Sequence, residues 1–261
     1  MLFQANSVDN LSALTPSTNL TTLPRKDKKK TSTIKQKMTS MNTNTSLARV
    51  GAVAAFLGVP LLFVSTLLHP MQKDPNDPLA AFAEYAANSI WVWSHLGQFA
   101  GIVAIAISWV ALAATFEQGR PAAWGRMALV GTATVISVAA ALQAVDGVAL
   151  KVAVDRWAAA TGGGRELAFE AAFAVRQIEI GLAALLSIVS GLTLTGFSLA
   201  VLHSTRYPVW LGWIGLVNAV GTLAAGAAQA STGFSDLSMT LSMLTSSLLL
   251  VWVIIVGILL W

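Results

Sequence analysis

The chain has no cysteine among its 261 residues. Disulfides, thiolate metal sites and cysteine nucleophiles are therefore excluded, and the redox compartment stays open. Charge is the second shortage. Only 11% of the residues are Asp, Glu, Lys or Arg, against roughly 25% in ordinary soluble domains. A soluble fold of this size cannot cover itself with so few polar side chains. Several chemical signatures are missing as well. There is no GxSxG nucleophile elbow, no HExxH, HxxxH or ExxH metal pattern and no glycine loop for phosphate. No lysine lies deep in an apolar stretch, which excludes a retinal Schiff base.

What is present is apolar. Ala, Val, Ile, Leu, Met and aromatic residues make up 55% of the chain, gathered in runs long enough to span lipid, for which about 20 residues suffice. The spacing predicts six spans, about Leu47–Leu68, Ile90–Phe116, Met127–Leu150, Glu166–Leu202, Val209–Ala230 and Leu237–Trp261. Pro60 falls inside the first. The third is expected to continue as an amphipathic helix to Ala160, until Thr161, Gly162, Gly163 and Gly164 break it. A short helix is expected in AAFAEYAAN, after the turn-rich HPMQKDPNDP, and Ser235 is expected to cap the sixth span. Strand-type alternation and internal repeats are absent. The expected fold is an all-α, polytopic bundle of six transmembrane helices.

Residues 1–46 differ from the rest. They are rich in Ser, Thr and Asn, with a basic run RKDKKKTSTIKQK. They hold too little apolar surface to offset ordering entropy, so disorder is expected. The basic run precedes polar residues rather than an apolar core, unlike a signal peptide. A start at Met38 or Met41 is the alternative. With Arg49 just beyond it, this tail carries half of the 16 Lys and Arg, so the basic balance describes the N-terminal stretch, and nothing supports nucleic-acid binding. With the N-terminus inside, the tail, Arg120, Arg126 and Arg206 are cytoplasmic, and Lys73, Lys151, Arg156, Arg165 and Arg176 are outside. Without the tail the bias reverses. Both termini are thus expected in the cytoplasm, and the membrane is expected to be the inner (cell) membrane. Trp91, Trp93 and Trp157 are expected as interfacial anchors at the outer boundary, and Trp124, Trp210, Trp213 and Trp261 at the inner one.

Polar residues gather at one end when the spans are threaded alternately. His69, His95, Gln98, Gln143, Asp146, Arg176, Gln177, Glu179, Gln229 and Asp236 all fall at the outer end. Ionisable groups in lipid cost several kcal/mol unless paired, so they should face the bundle interior. His95 and Gln98 share one helix face, as do Gln143 and Asp146. A polar network of His95, Gln98, Gln143, Asp146, Arg176, Gln177 and Glu179 lining an outward-facing pocket is expected. Lys151, Asp155, Glu166 and Glu170 read as charges reaching for the interface. His69, His95, Asp146 and Glu179 are weak candidates for a metal, and His69 with His95 for haem. Small residues on the fifth span (Gly215, Gly221, Ala225, Gly226) and the hydroxyls of Ser238, Ser242 and Thr245 read as packing contacts. Asn218, in mid-span, needs a partner.

From Met41 onward, LARVGAVAAFLG, WVWSHLGQFAG, AVDGVALK, RQIEIGL, WLGWIGL and STGFS make the chain resemble uncharacterised bacterial six-helix integral membrane proteins that share a domain of unknown function. The resemblance covers roughly 220 residues and implies six spans. It brings no activity and no site residues. The functional expectation is a binding or accessory protein in the lipid bilayer, for a lipophilic or small polar ligand or a membrane protein partner. A transporter or channel, and a membrane-embedded metal- or haem-dependent enzyme, are the alternatives.

Overall fold

Helix starts and stops follow local chemistry. Asp77 accepts from the amides of Leu79 and Ala80, and Pro78 follows as the first helical residue, where its missing N–H costs nothing. Ser235 Oγ accepts from Ser238 N at 3.3 Å. Gly233, at φ 64°, turns the chain just before that cap.

The structure is a computed structural model that describes residues 25–261, with side chains from Thr45 onward. Among the described residues every regular element is helical. The helices are α1 (Arg25–Leu67), α2 (Pro78–Ala87), α3 (Trp91–Ala114), α4 (Gly119–Ala144), α5 (Lys151–Ala159), α6 (Gly163–Leu202), α7 (Val209–Thr232) and α8 (Asp236–Leu260). A π-helical turn, Val145–Leu150, joins α4 to α5. The chain divides into two units, Met1–Met41 and Asn42–Trp261. In the first, residues 25–41 are helical. The expected disorder of the tail falls in part on residues 1–24, which lie outside the described residues.

Among the described residues, six segments are long and apolar enough to cross a membrane: Thr45–Leu67, Trp91–Ala114, Gly119–Ala159, Gly163–Leu202, Val209–Thr232 and Asp236–Leu260. The protein is a multi-pass, all-α membrane bundle. Helix α6 packs most extensively, against α7 and α4. Gly226 makes the α6–α7 approach possible, because a Cβ there would lie 2.9 Å from the Ala184 carbonyl. Trp109, Phe197, Leu211 and Trp252 centre the main core, and the Trp252 indole donates to the Leu211 carbonyl at 3.0 Å.

A second core closes one end, formed by Phe82, Tyr85, Trp91, Leu150, Val154 and Trp157. It corrects the anchor reading for two tryptophans. Trp91 has 0% exposure and Trp157 only 5%. Helix α2 lies over them and withdraws them from the interface. Trp93, at 73% exposure, stays outward, as do Trp210, Trp213 and Trp261. Lys151 Nζ holds α2 in place through the carbonyls of Tyr85 (3.1 Å) and Ala86 (3.0 Å), while pairing with Asp155 at 2.7 Å. The amide of Asn218 is buried and makes no hydrogen bond.

Candidate functional site

Four helix ends and one loop build the polar end. His69 follows the C-terminus of α1. His95 lies one turn into α3. Asp146 sits in the π turn, and Arg176 and Glu179 lie in the first half of α6. The extra residue per turn of a π segment redirects a side chain, and such turns recur at functional positions. Here the π turn brings Asp146 toward α3. Gly147 permits the contact, since a Cβ there would lie 2.6 Å from His95 Cβ.

His95 Nε2 meets Asp146 Oδ2 at 2.9 Å. One turn further along the same pair of helices, Gln143 Nε2 donates to Gln98 Oε1 at 3.3 Å. The three-residue spacing is the same on both helices, so the two pairs stack. His95 Nδ1 lies 2.7 Å from the Trp91 carbonyl, and the Trp91 indole donates to the Asp146 carbonyl at 3.0 Å. The His69 ring packs edge-on against His95, with centroids 5.0 Å apart, and is 4.8 Å from Trp91. One ligand atom each from His69, His95 and Asp146 lies within 4.8 Å of the others. The two imidazoles touch directly, so no macrocycle fits between them and the haem alternative is set aside.

Arg176 and Glu179 form a second, buried pair at 2.8 Å. The guanidinium lies between the rings of Phe234 (4.7 Å) and Tyr85 (5.3 Å). Glu179 therefore faces Arg176 and is absent from the His69–His95–Asp146 cluster. Gln177 is a correction: it is exposed. It sits one residue, about 100° of helix, from Arg176, so the two cannot share the inward face.

A cavity of about 250 Å³ lies among these groups, bounded by His69, Tyr85, Gln98, Asp146, Arg176 and Glu179. A loop folds over it. Glu84 accepts from the amides of Gln72 and Lys73, and Asn76 Nδ2 donates to the Phe234 carbonyl at 2.8 Å. Burial holds His69 below the ordinary histidine range despite the opposing pull of Asp146, and His95 adds to the lowering. Burial also pushes the Tyr85 phenol up to about 12, against the pull of Arg176. Sequence reasoning did not find Tyr85, Phe234 or the π turn. The one available signal was Gly147 beside Asp146 within an apolar span.

A second cavity, of about 180 Å³, lies deeper, among Leu62, Ile102, Ile105, Ala106, Trp109, Leu186, Ser187 and their neighbours. Its residues continue the faces that line the first. Leu62 is one turn from Thr66 on α1, Ile102 one turn from Gln98 on α3, and Ser187 one turn from Ala183 on α6. The chain matches no family model, no curated protein and no solved structure.

Proposed function

We propose that this membrane protein binds a single-chain amphiphile, with a polar head in the upper cavity and an apolar tail in the lower one. One observation carries the reading: the two cavities lie one turn apart on the same faces of α1, α3 and α6. The upper cavity offers buried charge and amide groups, and the lower is almost wholly apolar apart from hydroxyls such as Thr245 and Ser190. Pockets for small ligands combine apolar walls with a few convergent polar groups. A cavity of about 150 Å³ already takes a benzene-sized apolar guest.

Binding rather than turnover is the proposed role. The basic tail supports a cytoplasmic N-terminus, and six spans return the C-terminus to that side, so the cavities face outward. Membership of the bacterial six-helix group, and with it an inner-membrane location, belongs to the same proposal.

Mass spectrometry of material extracted from the purified protein tests it. A stoichiometric single-chain amphiphile retained by the parent and lost from Ala106→Phe, which fills the lower cavity, is the expected result. Equal retention by both proteins, or none by either, overturns the reading.

A further inference from the structure

Lone pairs confront one another at the polar end. His95 Nδ1 lies 2.7 Å from the Trp91 carbonyl oxygen. A carbonyl only accepts, so Nδ1 carries the hydrogen. In the neutral ring Nε2 then presents a lone pair, and it faces Asp146 Oδ2, also an acceptor, at 2.9 Å. His69 repeats the arrangement. Its Nδ1 lies 2.9 Å from the Pro70 carbonyl, which leaves Nε2 as the nitrogen with the lone pair. The second carboxylate oxygen, Asp146 Oδ1, is buried and has no hydrogen-bond partner.

A proton on His95 answers one of these acceptors. It leaves the His69 nitrogen and Asp146 Oδ1 unmatched. A metal ion bound by one atom each of His69, His95 and Asp146 would satisfy both rings and the carboxylate together. We propose that His69, His95 and Asp146 form a binding site for one divalent first-row transition ion, of the zinc or ferrous iron class. Two imidazoles and one carboxylate suit that class, whereas magnesium and calcium take oxygen ligands and copper(I) favours sulfur. Both rings already have the outer support typical of metal-bound histidines, an Nδ1–H fixed on a carbonyl. Bonds of about 2.0–2.2 Å place neighbouring ligand atoms roughly 3 to 4 Å apart. The three ligand atoms, now within 4.8 Å of one another, need close by only about an ångström. His69 is half-buried, so the ion has a route from the loop side.

Three protein ligands leave a coordination position open toward the upper cavity. The inference rests on the ligand-binding reading of that cavity and gives its head-group subsite a chemistry: an oxygen donor able to bind a metal.

Titration of the purified, chelator-stripped full chain with Co²⁺ alone tests the site. The expected result is one Co²⁺ per chain with visible ligand-field bands, displaced by Zn²⁺. Asp146→Asn keeps the side-chain shape and sets an amide N–H against His95 Nε2. It should weaken Co²⁺ binding by about 100-fold or more, since outer-shell changes alone cost 10–100-fold, with no fall in the unfolding temperature. His69→Ala should do the same. A parent protein that takes up no more Co²⁺ or Zn²⁺ than Asp146→Asn overturns the site. Ala106→Phe keeps the two proposals apart: full Co²⁺ uptake with no retained amphiphile in any variant sinks the amphiphile alone, and the reverse sinks the metal alone.

Discussion

Trp91 and Asp146, 55 residues apart, are joined by an indole N–H that donates to a main-chain carbonyl at 3.0 Å. That carbonyl belongs to the π turn, where the regular α-helical pattern is interrupted. The same tryptophan offers its own carbonyl to His95. Trp91 thus fixes both members of the His95–Asp146 pair, one through its side chain and one through its backbone.

Trp91→Phe keeps an aromatic ring in the stack with Tyr85 and His69 and removes the indole donor. The Asp146 carbonyl then lacks that bond in a part-buried setting, which costs about 1 kcal/mol. Thermal unfolding in detergent should show that loss. An unchanged transition would mean that the π turn is held without the indole.

Gly147 makes a sharper case. A Cβ at this position falls 2.6 Å from His95 Cβ and 3.0 Å from its Cγ, neither at the end of a flexible chain. Gly147→Ala should therefore destabilise by about 1–3 kcal/mol through overpacking and separate His95 from Asp146. Gly181, whose added Cβ would meet nothing within 4 Å, is the control. Gly181→Ala should be neutral or stabilise by up to about 1 kcal/mol through helix propensity. Equal effects from the two substitutions would contradict the close approach.

The contrast between these positions shows what the sequence carried. Apolar run length locates the spans because lipid thickness sets it, and the structure places five of them within about three residues of the expected bounds, while the third begins at Gly119 rather than Met127 and runs on to Ala159. The three-residue spacings of His95 with Gln98 and Gln143 with Asp146 gave the two inward faces, because helix geometry fixes them. Which of those faces meet is a matter of tertiary packing and was not legible. Gln177 shares the composition of its neighbours but points away, and Trp91 looked like an interfacial anchor until α2 covered it. The π turn has no periodicity of its own to read, so the displacement of Asp146 was invisible from spacing alone.

The buried pair of Arg176 and Glu179 should behave as a unit. Removing one partner leaves an uncompensated charge in a site where both side chains are almost wholly covered. Glu179→Leu alone should cost about 3–5 kcal/mol. Arg176→Met with Glu179→Leu should recover most of that loss, because a buried pair is often replaceable by apolar groups of similar volume. A double-mutant cycle read by thermal unfolding measures the coupling. Additive losses would show that Arg176 is held by its contacts with Phe234, Tyr85 and the Pro75 carbonyl rather than by Glu179.

Tyr85 gives the pH prediction. Burial pushes its phenol up to about 12, whereas a tyrosine in the unfolded chain titrates near 10. Above pH 10 the unfolded state releases a proton that the folded state retains, so unfolding becomes progressively easier. The stability associated with Tyr85 is complete below pH 10 and is lost as the pH rises toward 12. In ultraviolet titration one of the two tyrosines should ionise only near the upper limit of that window. Tyr85→Phe should remove that transition and flatten the fall in stability between pH 10 and 12. A Tyr85 that ionises near 10 in the folded protein would mean that water reaches the ring, and that the cap of Phe82, Trp91 and Trp157 is open in solution.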